Sequence, residues 1–142
     1  MISHFIILRP DRIIVGEVRS DAEELLQAVN VGAEGSMSTI HANSCNDMIS
    51  RLETMVLMGI NLPLPAVRRQ IAAGFDIFVH LGRLRDKTRR ILEICEIDGM
   101  ADGEILLNPL FLYEEERGLV QKGKLRHREK LEKAGMTLED GL

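Results

Sequence analysis

The chain has 142 residues, of which 45% are hydrophobic, and a formal net charge of −4 at neutral pH. This length and composition are typical of one globular domain with a hydrophobic core and exclude a disordered chain. The acidic balance argues against a general affinity for nucleic acid or anionic lipid, because both need a basic surface. Cys45 and Cys95 lack the close spacing along the chain that a zinc site or redox dithiol requires, which favours a reduced cytosol.

The first predicted elements are a strand and a helix. Residues 12–18 (RIIVGEV) are a β-branched apolar run with an acid near its end, as expected of a strand buried on both faces of a parallel sheet. Ser20 and Glu23 have the spacing of a capping box, which predicts that a helix begins here. The apolar positions of this helix recur on one face until Gly32, where we expect it to end.

A second strand and two further helices are predicted next. Residues 35–40 (GSMSTI) predict a short strand, and Ser44 is placed to cap a helix that continues to Gly59. Another helix is expected over residues 66–73, because Pro65 can occupy a first-turn position. The β-α-β-α order predicts an α/β fold with parallel strands and right-handed crossovers.

The pattern then changes to one typical of antiparallel strands. Residues 76–81 and 90–97 alternate apolar and polar side chains on either side of a polar turn, which predicts a hairpin. Residues 104–113 predict one or two more strands, broken at Pro109 because proline cannot donate to a ladder.

Residues 114–142 are rich in charge and poor in apolar spacing, which predicts a mobile segment with one short helix near residues 125–134. Residues 118–125 (GLVQKGKL) have the glycine and lysine spacing of a P-loop. We interpret this match as chance, because the segment ends in leucine instead of a magnesium-binding hydroxyl and no buried strand precedes it.

Polar residues at the ends of the two predicted parallel strands suit phosphate chemistry. In nucleotide hydrolases of the P-loop kind a buried strand delivers a carboxylate that orients magnesium or polarises the attacking water, and Glu17 is placed for that role. His41 leads into a helix start, so its ring and the free amides there can meet a phosphate oxygen. Ser38 and Thr39 add hydroxyl donors, and Arg19 can compensate phosphate charge.

The same residues also have plainer interpretations. An acid after four apolar residues is common, and it can simply face solvent at a strand end. A single histidine at a strand-to-helix turn is more often structural, and an arginine more often joins a surface ion pair of little energetic weight. Spacing alone leaves both interpretations open.

Three segments resemble the type II/type IV secretion ATPases. Residues 8–19 (LRPDRIIVGEVR) resemble the Walker B segment of that family, residues 37–44 (MSTIHANS) its histidine box, and residues 51–58 (RLETMVLM) the helix after it. The similarity is closest to the tight-adherence (Flp) pilus branch and covers residues 8–113. Two motifs in the same order and at the same separation make this resemblance specific.

The resemblance implies a RecA-like P-loop NTPase core that hydrolyses ATP with Mg²⁺ and drives pilus assembly or protein export. By motif, Glu17 would activate water and His41 would sense the γ-phosphate, with Arg19, Ser38 and Thr39 as nucleotide-binding candidates. The implied partners are other copies in a hexameric ring or a full-length ATPase, and an inner-membrane platform protein. The implied location is the cytoplasm, peripheral to the inner membrane, and nucleic acid is not an expected partner.

In that family an N-terminal domain, the Walker A loop and the Asp box precede Walker B, and none of the three occurs in this sequence. We therefore expect position 1 to fall inside the motor domain. Residues 1–113 are predicted to be a partial RecA-like ATPase domain, the C-terminal half only, with an antiparallel hairpin. Residues 114–142 are predicted to be a charged C-terminal tail with a short helix.

The P-loop supplies most of the electrostatic hold on the phosphates, so Glu17 and His41 alone should bind ATP poorly and the chain alone should be inactive. Two alternatives stay open. The chain can be a non-enzymatic module that docks on a full-length secretion ATPase or its membrane platform. It can also be an unrelated small α/β binding protein in which both residues are structural.

Overall fold

The computed structural model of the protein describes residues 10–19, 21–32 and 35–137. In chain order its elements are β1 (Ile14–Val15), α1 (Ala22–Asn30), β2 (Met37–Ser38), α2 (Cys45–Gly59), α3 (Leu64–Gly74), β3 (Ile77–Arg83), β4 (Arg89–Ala101), β5 (Glu104–Glu114), β6 (Gly118–Gln121) and α4 (Glu129–Lys133). The predicted α/β fold class is therefore confirmed. Within the described residues, no helix combines the length and the apolar character needed to span a bilayer.

The two short strands β1 and β2 pair in parallel, with Ile14 opposite Met37, and α1 connects them. The predicted β-α-β order is confirmed, but each strand has two residues where residues 12–18 and 35–40 were expected. The prediction of a strand buried on both faces is wrong. Side chains alternate along a strand, so Ile13 enters the core while Ile14, 73% exposed, lies on the opposite face.

The start of α1 differs from the predicted capping box. Ser20 lies outside the described residues, and Asp21, the residue before the helix, makes no side-chain hydrogen bond to it. Instead the Asp21 carboxylate accepts a hydrogen bond from the Arg19 N–H at 3.1 Å. Residues Val31 and Gly32 form the turn after the helix, close to the predicted end.

The next two helices start largely as predicted. The Ser44 hydroxyl accepts a hydrogen bond from the Asp47 N–H at 3.0 Å, so the predicted cap of α2 is confirmed. Helix α3 begins at Leu64, two residues earlier than expected, with Pro65 in its first turn. The three helices α1 to α3 pack on one another, and α2 and α3 also contact strands of the sheet that starts at β3. The largest fully buried side chains at this junction are Leu25, Leu26, Ile71, Val56, Val67, Cys45 and Cys95.

Strands β3 to β6 form a four-stranded antiparallel sheet in sequence order. The predicted hairpin is confirmed by β3 and β4, with Lys87 at φ 69° in the turn between them. The predicted break at Pro109 is wrong, because β5 continues through that residue. Pro109 lies opposite Cys95, directly beside a register shift between Ile94 and Cys95. A bulge is a position where a residue without an N–H is tolerated in a sheet.

The structure after residue 114 also differs from the prediction. Strand β6 pairs with β5 and adds a fourth strand, so the sheet continues across the predicted domain boundary at residue 113. Residues 122–128 have no regular secondary structure and lie against the sheet, where the buried Glu96 carboxylate accepts hydrogen bonds from the Arg126 and His127 N–H groups. The one short helix predicted near residues 125–134 is confirmed as α4.

Candidate functional site

Hydrogen bonds join the two chain segments at both ends of the short strand pair. At the start of the strands, the Met37 N–H donates to the Ile13 carbonyl at 2.9 Å. After them, the Val18 N–H donates to the Thr39 carbonyl at 2.9 Å, and the Thr39 hydroxyl donates to the Gly16 carbonyl at 2.5 Å. Because the carboxyl ends of the two strands are held together, the residues that follow each strand meet at one edge.

Glu17, Arg19 and His41 come together at this edge. Glu17 Oε1 lies 3.3 Å from His41 Nε2, and Glu17 Oε2 accepts a hydrogen bond of 2.8 Å from the Arg19 guanidinium. The His41 side chain is 86% exposed, whereas that of Glu17 is 32% exposed. One carboxylate therefore bridges an imidazole and a guanidinium, and both partners remain exposed to solvent.

The charges at this edge keep Glu17 ionised at neutral pH. The hydrogen bond and positive charge of Arg19 hold the pKa of the Glu17 carboxyl below its usual value, with a smaller contribution from His41 against the opposing effect of burial. The same ion pair raises the pKa of the Arg19 guanidinium. An ionised Glu17 can accept hydrogen bonds from water, but Arg19 competes for one of its oxygens.

Ser38 and Thr39 lie beside this group of charges. Together with His41 they line a groove of about 500 Å³, whose other wall includes Phe78 and His80 of β3. The Thr39 hydroxyl is already used in the bond to Gly16. The structure thus brings Glu17, Arg19 and His41 into direct contact, and it places Ser38 and Thr39 next to them along the chain.

Three backbone amides around the start of α2 are not free, contrary to the prediction. The Cys45 N–H donates to Glu93 Oε2 at 2.8 Å, and the Asp47 N–H donates to the Ser44 hydroxyl. The Asn43 N–H donates to Asp47 Oδ2 at 2.8 Å. Side-chain oxygens therefore occupy these three donors, so a phosphate near His41 would not find them available. The sequence did not indicate that Glu93 accepts this hydrogen bond, because Glu93 lies 48 residues from Cys45.

The fold corresponds to part of a known ATPase. The structure of the VirB11 ATPase from the Brucella suis type IV secretion system, in complex with sulphate, matches with a TM-score of 0.63 and 31% identity. The match covers 67% of this chain and 30% of that one. These values define the chain as an α/β protein with the fold of part of a secretion ATPase.

Sequence comparison gives the family. Residues 2–102 match the family described as type II/IV secretion system protein, so the chain belongs to this family and the predicted resemblance is confirmed. It is 34% identical over 121 residues to a Mycobacterium tuberculosis protein named as a candidate conjugal transfer protein, and the match covers 84% of this chain and 33% of that protein. It is 40% identical over 93 residues to the conjugal transfer protein TrbB of Rhizobium radiobacter, and that match covers 65% of this chain and 28% of the relative. The chain therefore spans about a third of the length of these relatives.

Proposed function

We propose that this chain is the Walker B and histidine-box part of a secretion ATPase motor domain, which hydrolyses ATP to power export. In this proposal the Glu17 carboxylate accepts a hydrogen bond from the attacking water, and His41 contacts the terminal phosphate. Ser38 and Thr39 are hydroxyl donors at the same edge. The observation that carries the proposal is the distance of 3.3 Å between Glu17 Oε1 and His41 Nε2, at the ends of two parallel strands.

Arg19 can pair with Glu17 before nucleotide binds and with a phosphate group afterwards. Without nucleotide, Arg19 neutralises Glu17 through their hydrogen bond. A phosphate group carries more negative charge than a carboxylate and competes for the guanidinium, whose side chain is 76% exposed. Transfer of Arg19 to the phosphate would release one Glu17 oxygen to orient water.

We propose that Glu17 does not hold magnesium without the nucleotide. Mg²⁺ is usually bound through one or two carboxylates together with substrate phosphates and waters, and the one group of three metal-capable side chains in the described part of the chain does not include Glu17. We propose that a segment with a Walker A loop completes the site and that this chain alone does not turn over ATP. In the whole protein we further propose a hexameric ring at the cytoplasmic side of the inner membrane, with residues 1–113 inside the motor domain and residues 114–142 as its C-terminal continuation.

The family branch and cargo belong to the proposal as well. We propose that the motor works with an inner-membrane platform protein and drives pilus assembly of the tight-adherence (Flp) type or protein export. The support is the similarity of residues 8–19 and 37–44 to the two motifs of that branch.

The test is a fusion protein, because the chain spans about a third of its relatives. The preceding part of TrbB from Rhizobium radiobacter is joined to this chain, and Mg²⁺-dependent phosphate release is measured for the fusion and for the chain alone. We expect turnover only from the fusion, and we expect Glu17→Gln to lower its kcat at least about 100-fold. The matched control is Glu115→Gln, since Glu115 is exposed in a distant turn. Equal turnover by the Glu17→Gln and control fusions would refute the assigned role of Glu17.

One observation favours a second candidate, a non-enzymatic module that docks on a full-length secretion ATPase. Ile14 and Met37 are register partners on the same exposed face, 73% and 60% exposed. Adjacent exposed apolar residues are typical of a contact surface. Binding to a purified full-length relative, measured by calorimetry and lost in Ile14→Asp, would favour this candidate, whereas a chain that stays monomeric beside that relative would exclude it.

A further inference from the structure

Two cysteines and a glutamate that are distant in sequence meet where α2 begins beside β4. The Cys45 and Cys95 sulfurs and a Glu93 carboxylate oxygen all lie within 4.8 Å of one another. Both cysteines are free thiols, 0% and 2% exposed, and Glu93 is half-buried. We propose that Cys45, Glu93 and Cys95 bind a thiophilic divalent metal ion of the zinc type.

The spacing of the donor atoms suits this ion. Zinc–sulfur bonds of about 2.3 Å and zinc–oxygen bonds of about 2.1 Å in a tetrahedron bring ligand atoms to within about 4 Å of one another. The three donors of the cluster need only a small contraction from their 4.8 Å limit to reach this geometry. Two sulfurs and one oxygen are also a donor set that favours zinc over magnesium or calcium, which bind oxygen alone.

His80 lies beside the cluster and can supply the fourth ligand. His80 Nδ1 lies 3.9 Å from Glu93 Oε2, and His80 lines the groove that also contains His41. Imidazole is a common zinc ligand, so His80 or a water from the groove completes the coordination.

Glu93 is already oriented for the role. Its Oε2 accepts the hydrogen bond from the Cys45 N–H, which fixes the carboxylate against the first turn of α2. Hydrogen bonds of this kind hold metal ligands in place and are typical of the surroundings of protein metal sites. An ion bound here would tie the start of α2, and with it the loop after His41, to β4.

The cluster suits metal binding better than disulfide formation. A disulfide between the two cysteines would leave the Glu93 carboxylate beside an uncharged bridge. A divalent ion instead replaces two thiol protons, which pass to solvent, and uses the carboxylate as a third ligand.

Spacing along the chain argues against this site, since the two cysteines are 50 positions apart. The fold overcomes that separation because the antiparallel sheet returns β4 to the start of α2. The Cys45 thiol donates to the Phe78 carbonyl at 3.9 Å, a weak contact that metal binding would replace.

The experiment uses the full chain, purified under reducing conditions and transferred to metal-free buffer, with zinc alone as the added ion. Native mass spectrometry should show one zinc per chain together with the loss of two protons. Competition against a chromophoric chelator should show that Cys45→Ser and Cys95→Ser each weaken zinc binding by at least about 100-fold and Glu93→Gln by at least about 10-fold. The matched control is His127→Gln, since His127 is a metal-capable residue that pairs with Asp98 elsewhere in the fold, and it should bind zinc as the unchanged chain does.

A second measurement keeps the test independent of how the variants fold. Cobalt(II) added to the unchanged chain should give a thiolate-to-cobalt charge-transfer band and the visible absorption of a tetrahedral site, since cobalt commonly reports zinc geometry. Zinc binding by the unchanged chain no tighter than by Cys45→Ser, or a cobalt spectrum without thiolate bands, would overturn the proposal. A chain that loses two hydrogens without gaining metal would instead show a disulfide and would overturn it equally.

Discussion

The Glu96 carboxylate holds the backbone of Arg126 and His127 to the sheet, and its replacement by glutamine should lower the stability of the fold. Glu96 is 2% exposed, and its two oxygens accept hydrogen bonds from the Arg126 N–H at 3.0 and 3.1 Å. They also accept from the His127 N–H at 2.8 Å and from the Asn108 amide at 2.8 Å. All three hydrogen-bond partners of Glu96 are donors, so they require an acceptor with two oxygens.

Glu96→Gln replaces one oxygen with an NH₂ group of nearly the same size. Whichever way the amide turns, this group faces a donor, and the remaining hydrogen bonds lose their charge-assisted strength. A hydrogen bond to a charged group contributes about 1.5–3 kcal/mol, and a buried donor without an acceptor costs about 1–3 kcal/mol. Arg126 and His127 are exposed enough for water to replace part of the loss. We therefore expect the variant to lower the free energy of unfolding by about 3 kcal/mol.

The same site predicts a pH dependence. Burial pushes the pKa of Glu96 upward, but the hydrogen bonds from His127, Asn108 and Arg126 outweigh it, so the pKa in the folded state is below the ordinary value. A lowered carboxyl pKa stabilises the fold above the unfolded-state pKa of about 4.3, and this stability is lost as the pH falls through the folded-state pKa. The difference in stability between the unchanged chain and Glu96→Gln should therefore be largest near neutral pH and shrink on acidification below about pH 4.

The assay is urea unfolding followed by far-ultraviolet circular dichroism, with Glu115→Gln as the control at an exposed glutamate. Amide hydrogen exchange gives a local measurement, since the Arg126 and His127 amides should exchange faster in Glu96→Gln alone. A stability loss below about 0.5 kcal/mol, the usual range for a surface change, would show that the segment is held by other contacts. Unchanged exchange at both amides would lead to the same conclusion.

Three further changes test the packing of the fold. Ser44→Ala removes the cap of α2 and should cost about 1 kcal/mol in urea unfolding, whereas Ser44→Asp, which can also cap, should retain the stability. Gly123→Ala places a Cβ 2.5 Å from the Pro109 carbonyl and should lower the free energy of unfolding by about 1–3 kcal/mol. The control is Gly16→Ala, whose Cβ meets nothing within 4 Å and which should change the free energy of unfolding by no more than about 0.5 kcal/mol. Equal effects of the two variants would refute the predicted clash. Leu25→Ala empties a fully buried position and should cost about 3 kcal/mol, against less than about 1.5 kcal/mol for Leu25→Met, and a similar loss in both would contradict tight packing there.

The sequence by itself determined the features that depend on neighbours along the chain. Ser44 caps α2 because its hydroxyl reaches an amide three residues away, and the alternating side chains of β3 and β4 predict their hairpin. The amino-acid sequences of the segments that contain Glu17 and His41 were sufficient to predict the family. These signals are local, so they survive without knowledge of the rest of the fold.

Tertiary structure alone decided which distant segments meet. The sequence of β6 resembles part of a charged tail, because an edge strand with one neighbour needs few apolar residues. Its pairing with β5 can be seen only in the folded sheet. Glu96 reaches Arg126 across 30 residues, and Glu93 reaches Cys45 across 48. Folding brings these backbone donors close to the two carboxylates, and buried polar groups need hydrogen-bond partners. A pattern of neighbouring residues cannot show which distant donor will supply the hydrogen bond.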